Sequence, residues 1–236
     1  MYEELSPTAS LVWDQTLLAP IFEINERLLE RLHAEACASL AARGHQSAAG
    51  AISVLVQALL PEWCALDAAA QRRLAQCPYL LLDAGFAEPA RWQAVSSLAV
   101  HEADAPRREC ADGLLDPLWL ALRRRTLLLG WHLARAQPLA ARVLLGMSPA
   151  SAECIAARRL DELEELAEGI GHMAPRWERQ PQIWRQLLRA GQAAGEQLRW
   201  TQLRGLQLLA VGADQSGAPV TPVAGTRGAG TRGATA

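Results

Sequence analysis

Lysine is missing from this chain: all 23 basic side chains are arginine. In a sequence so rich in Ala and Leu, this reflects the coding bias of a GC-rich bacterial genome before any selection for guanidinium chemistry. Each exposed Arg nonetheless offers a planar fork of donors suited to phosphate or carboxylate. Long apolar runs are missing as well. No stretch approaches the roughly 18 consecutive apolar residues that span a bilayer. The opening Met1-Tyr2-Glu3-Glu4 is acidic where a signal peptide is basic, so a cytoplasmic protein with no membrane association is expected. The five cysteines, Cys37, Cys64, Cys77, Cys110 and Cys154, are odd in number and form no Cys-x-x-Cys pair. That spacing argues against a disulfide framework or a zinc site and leaves each thiol as a small buried apolar group.

Catalytic signatures are equally scarce. The chain has no Gly-x-Ser-x-Gly, His-Glu-x-x-His, Walker or dinucleotide fingerprint. His33, His45, His101, His132 and His172 stand far apart with no nucleophile beside them. Asp83 near Gly85, and the group His101, Glu102 and Asp104, are explained by loop composition more simply than by a metal. The expectation is a protein that is not an enzyme and holds no cofactor and no metal.

What is present is apolar bulk and helical rhythm. Half of the 236 residues are hydrophobic, enough for one sizeable core or two small ones. The charge is uneven: residues 1–122 carry 8 Arg against 16 acidic residues, while residues 123–204 carry 13 Arg against 8. Any polyanion contact is therefore expected in the second half. After Pro20, Ile21, Ile24, Leu28, Leu29, Leu32, Ala36 and Leu40 recur at helical spacing up to Gly44. A segment from Ala48 to Leu60 is expected to stop before Pro61, and one from Leu66 to Ala75 to begin on Asp67 as a cap. The apolar run from Cys77 to Phe86 suits a short strand or a buried helical turn; with no partner strand nearby, helix or irregular structure is favoured.

These signals predict an all-α fold in four parts: a helical interaction domain over 1–100, a loop or linker over 101–117, a helix-turn-helix domain over 118–205 and a disordered tail over 206–236. The tail reading rests on apolar periodicity that fades beyond Gly205 and on the Gly, Thr and Pro content from Gly217 to Ala236.

The most informative stretch is Leu127 to Leu188. Leu139-Ala-Ala-Arg-Val-Leu-Leu, then Gly146-Met147-Ser148-Pro149, then Ala-Ser-Ala-Glu-Cys-Ile155 outlines a helix, a tight turn and a second helix. Gly146 permits the turn, Ser148 can cap the next helix, and Pro149 suits its first position. The same sequence also serves as a plain connector between packed helices. If the second helix meets DNA, Ser151, Arg158 and Arg159 are its candidate contacts, although its many alanines and Glu153 make it a poor reader of bases. The run Arg123-Arg124-Arg125 would grip phosphates. A third helix from Asp161 sets Leu160, Leu163, Leu166, Ala167 and Ile170 against an acidic face. Beyond it, Trp177 and Trp184 are expected to anchor on the core, with Arg176, Arg179, Arg185 and Arg189 left in solvent.

Leu127-Leu-Leu-Gly-Trp-His-Leu-Ala-Arg-Ala, Ala140 to Ser148, Ile155-Ala, Leu160-x-x-Leu163-x-x-Leu166-Ala167 and Trp184-x-x-Leu187-Leu188 together resemble the FlhD-like transcriptional activator family over about 62 of the 236 residues. The resemblance implies an all-helical regulator that works with a partner, for which an FlhC-like subunit supplying much of the DNA affinity is the candidate. The long acidic first half departs from that family. Two functions are thus expected: a transcriptional regulator or co-regulator acting through protein partners, with direct DNA contact open, or a helical scaffold of a secretion or conjugation apparatus with no nucleic-acid role. A homo-oligomer fits either.

Overall fold

The computed structural model describes residues 15–42, 53–98, 117–169 and 173–215. Among them are eleven helices and one two-stranded ladder, an all-α architecture as the periodicity predicts. None of these helices is long and apolar enough to cross a membrane. Of the expected linker 101–117 only Pro117 is described, and it begins a helix; the rest of the linker and the chain from Ser216 onward lie outside the described residues.

Helix α1 runs from Gln15 to Ala42 with Pro20 inside it. The sequence places the helix start after Pro20; instead the chain gives up the one backbone bond that proline cannot donate and keeps the preceding turn. Ile21, Ile24, Leu28, Leu29, Leu32 and Ala36 are buried as their spacing requires, whereas Leu40 is exposed. The segment expected to end at Pro61 divides into α2 (Val54–Ala58) and α3 (Leu60–Cys64). Pro61 falls in the first turn of α3, where a missing N–H costs nothing. Helix α4 (Ala68–Ala75) starts on Asp67, whose Oδ1 accepts from the Ala70 N–H at 2.6 Å.

The run from Cys77 to Phe86 is irregular, as favoured, except at two residues. Leu82–Asp83 form β1, which pairs antiparallel with β2 (Ala174–Pro175) in the register Leu82 to Pro175 and Asp83 to Ala174. The partner strand exists, but it lies far along the sequence, beyond any local signal.

Helix α5 (Pro89–Leu98) packs on the later α8. Helix α6 (Pro117–Ala136), α7 (Pro138–Leu145), α8 (Pro149–Ala156) and α9 (Leu160–Gly169) follow, with α6 packed against the other three. Helix α10 (Pro181–Ala193) and α11 (Gly195–Gln215) complete the fold. Helix α11 continues ten residues past Gly205, where the sequence places the start of the tail.

The segments expected as two domains share one core. Its buried side chains form a single cluster from Ile21 to Leu209. Helix α1 packs on α3, α4 and α6, α10 packs on α3, α4 and α11, and α11 also packs on α7. Two tryptophans mark the centre: Trp63 of α3 and Trp184 of α10 are fully buried with ring centroids 5.5 Å apart.

Candidate protein-interaction site

The helix-turn-helix outline forms as its residues require. Gly146 ends α7 at φ +65°, ψ +34°, the left-handed region that a β-carbon disfavours. Ser148 Oγ accepts from the Ser151 N–H at 3.2 Å, and Pro149 opens α8. The turn, however, is interior. Gly146, Met147 and Ser148 are all buried, and the Ser148 N–H donates to the Phe86 carbonyl at 3.1 Å.

A guanidinium closes this turn from inside. Arg176, expected in solvent, is only 6% exposed. Its Nε donates to the Leu80 carbonyl at 2.8 Å, and its Nη2 to the carbonyls of Leu145 at 2.8 Å and Leu82 at 3.2 Å. Burial pulls its pKa down, partly offset by the charge of Asp83. Three acceptors, from Leu80 ahead of β1, Leu82 within it and the open end of α7, offset the loss of water around the cation. Trp177, next in the chain, takes φ +56° and turns its ring edge-on to Tyr79 at 5.9 Å.

Asn25 performs a similar task from α1. Fully buried, it accepts the Leu81 N–H at 2.8 Å and donates to the Tyr79 carbonyl at 2.9 Å, with longer contacts to the carbonyls of Ala75 and Cys77. Together Asn25 and Arg176 satisfy the irregular chain between α4 and β1, which an apolar core would otherwise leave unpaired. One buried Asn in an amphipathic helix is its faint sequence signal; nothing local marks Arg176.

The six candidate DNA contacts do not form one surface. Ser151 is fully buried, its hydroxyl 2.8 Å from Ser148 Oγ, and so is no groove contact. Arg123 is 4% exposed, and burial holds its pKa down, so it is no phosphate grip either. Arg124 is exposed, while Arg125 binds Glu23 of α1. Arg158 lies 3.7 Å from Glu162, and Arg159 makes a two-pronged pair with Asp161 at 2.7 and 3.1 Å. Helix α8 and the Ala157 that caps it turn only Pro149, Glu153 and Ala157 fully outward, a face without a donor side chain.

The remaining expectations divide. Trp184 is a core anchor and Trp177 is half-buried, as expected. Arg179 and Arg189 are exposed, but Arg185 binds Glu62 at 2.8 Å. Burial alone would raise the Glu62 carboxyl; the bond and charge of Arg185 outweigh it and hold it below its ordinary value. Of the cysteines, Cys77 is buried and its thiol is pushed up to about 12, chiefly by burial. Cys64 and Cys154 are half-buried, and Cys37 is exposed beside His33, contrary to a core role.

Two surfaces expose apolar side chains. Between α1 and α6 lies a groove of about 330 Å³ with an apolar floor of Ala34, Trp119, Ala121 and Leu122, and Leu118 at its edge is 66% exposed. Arg27, Arg31 and Arg125 rim it, against Glu30 and the Glu23 bound to Arg125. The sequence marks Arg125 as a phosphate contact and misses its place here, because the groove is made by two helices far apart in the chain. The second surface is the outer face of α11, where Trp200, Leu203, Leu208 and Val211 are exposed. Comparison of the chain with protein-family models, with curated proteins and with solved structures returns no match in any of the three.

Proposed function

We propose that this chain is a non-catalytic helical adaptor, a scaffold or co-regulator subunit, that works by holding a protein partner and makes no direct contact with duplex DNA. The observation that carries this reading is the α1–α6 groove: an apolar floor with exposed Leu118 at its edge, open between two helices and rimmed by Arg27, Arg31 and Arg125. Its shape suits an amphipathic partner helix that lays an apolar ridge on this floor; Arg27 and Arg125 already face Glu30 and Glu23, so the apolar floor and not the charge of the rim would make the contact. The regulator form in which the chain itself grips DNA has less support, since Ser151 and Arg123 are buried and Arg125, Arg158 and Arg159 already face carboxylates.

The test is co-purification from the native host with the parent chain and with Leu118→Arg, a change at an exposed position that spares the core. The parent should retain one protein in stoichiometric amount, bearing an amphipathic helix, and Leu118→Arg should lose it at an unchanged melting temperature. Duplex DNA is the counter-probe. Tight binding at low salt by the chain alone, falling steeply as salt rises, would overturn the adaptor reading in favour of the DNA-contacting one.

A further inference from the structure

We propose that Cys37 of α1 and Cys64 of α3 form an oxidisable dithiol, which peroxide closes to a reversible disulfide between the two helices, with His33 as the base that readies Cys37. This inference stands apart from the partner groove on α1 and α6. Helix α1 packs on α3, and the two thiols interact across that contact. His33 stands one turn before Cys37 on α1, its Nε2 3.8 Å and its Nδ1 4.0 Å from Sγ. Among the described residues no group of three or more His, Cys, Asp or Glu side chains is placed to hold a metal ion, so the cluster is a redox pair and not a ligand set.

The two thiols differ as an attacking and a resolving cysteine must. Cys37 is exposed and has an imidazole within reach to take its proton. Cys64 is half-buried; burial first, and then the nearby Cys37, push its thiol above the ordinary value. Cys37 therefore reacts first, because the thiolate is the nucleophile and must be reached by the oxidant. His33 takes the Cys37 proton, and the thiolate attacks one oxygen of hydrogen peroxide. The O–O bond breaks, the departing hydroxide takes the proton back from His33 and leaves as water, and Cys37 becomes a sulfenic acid. The Cys64 sulfur then attacks the Cys37 sulfur. The S–O bond breaks as the S–S bond forms, and the hydroxyl leaves with the Cys64 proton as a second water. Two electrons pass from the sulfur pair to the peroxide, and an added dithiol reductant returns them. Cys77 takes no part, being buried with its thiol pushed up to about 12.

Peroxide treatment of the dilute full chain, then alkylation of the remaining thiols and digestion with trypsin, tests the pairing. Arg43 separates the two cysteines, so residues 32–43 and 44–72 leave as different peptides unless a disulfide joins them. The parent should yield the joined pair from monomeric protein, lighter by two hydrogens than the free peptides together, and dithiothreitol should release it. Cys64→Ser should stop at the sulfenic acid of Cys37, trapped by dimedone, with the parent's helical circular dichroism; Cys37→Ser should give neither product. His33→Gln should slow closure by about tenfold or more and leave the product the same. A parent whose Cys37 and Cys64 stay separately alkylated overturns the proposal, and so does one whose Cys37 links only to another copy. Closure of His33→Gln at the parent's rate overturns the part given to the histidine.

Discussion

Replacing Gly205 by alanine sets two effects of one methyl group against each other. In an isolated helix, the change would favour α11 by about 1 kcal/mol, because glycine is the costliest ordinary residue in a helix interior. In the folded protein, the added Cβ would lie 2.2 Å from Tyr79 Oη, 2.4 Å from Cζ and 2.8 Å from Cε1. Carbon contacts settle near 3.5 to 4.0 Å, so the ring or the helix must shift by about 1 Å or more. The ring has little freedom: Tyr79 is fully buried, its carbonyl is held by Asn25, and Trp177 stands at its edge. Helix α11 must therefore lift, loosening Leu198 and Leu209 from the core and straining the Gln202 contact to Cys77 Sγ. Overpacking of this kind costs about 1 to 3 kcal/mol, more than the propensity gain where the neighbours are fixed. The expected net loss is up to about 2 kcal/mol. Gly212 on the same helix has nothing within 4 Å of its added Cβ, so Gly212→Ala should stabilise by about 0.5 to 1 kcal/mol. Urea denaturation at fixed protein concentration reads both, as opposite shifts of the midpoint at unchanged slope. Tyr79→Phe in the Gly205→Ala background removes the 2.2 Å contact but not the one at 2.4 Å, so it should rescue only in part. A Gly205→Ala protein stabilised as much as Gly212→Ala would refute the close packing of α11 on Tyr79.

Gly146→Val should cost about 2 kcal/mol or more, since a β-branched residue resists φ +65° and its Cβ would meet Arg176 Nη1 at 3.0 Å; thermal melting measures the loss. Arg176→Lys keeps the charge but cannot span the carbonyls of Leu80, Leu82 and Leu145, and should destabilise by about 2 to 3 kcal/mol in the same assay. Glu62→Gln should cost about 0.5 kcal/mol at neutral pH, discounted for the exposure of Arg185. The folded Glu62 carboxyl titrates below its unfolded value, so its contribution is full above the ordinary carboxylate pKa and disappears as pH falls through the folded one; parent and variant should converge near pH 3 in urea titrations. In the native protein a thiol reagent at pH 8 should label Cys37 and leave Cys77 untouched until denaturant is added, as mass spectrometry of the labelled peptides will read.

The elements legible in the sequence are those set by neighbours within one turn. Asp67, Pro138, Gly146, Ser148 and Pro149 mark helix ends by rules of capping and φ, and each sits where those rules place it. What escapes depends on residues far apart. Leu82 and Asp83 become a strand only because Ala174 and Pro175 arrive beside them. Arg176 is buried because three carbonyls from two distant segments converge on it, and a charged residue between Pro and Trp gives no local sign of that. The pattern cuts α11 short for a different reason: apolar residues on both its faces blur the one-sided rhythm by which a helix is recognised. At the candidate site, Arg125 is legible as a basic contact, but the groove it borders is not, since α1 supplies the opposite wall.

The reach of the Arg176 guanidinium also sets an order of events during synthesis. A nascent chain that has emerged as far as α8 already contains Leu82–Asp83, the residues of α7 and the turn at Gly146, yet the carbonyls of Leu80, Leu82 and Leu145 still lack their shared donor. Trp184, which donates its indole N–H to the Arg176 carbonyl and packs on Trp63, comes later still. Contacts this distant in sequence form only after the loop between them closes. The N-terminal half therefore cannot finish folding while the ribosome is still making the C-terminal half; it waits, partly open, for residues 174–184, and a chain that stalls before them exposes the interior of the turn.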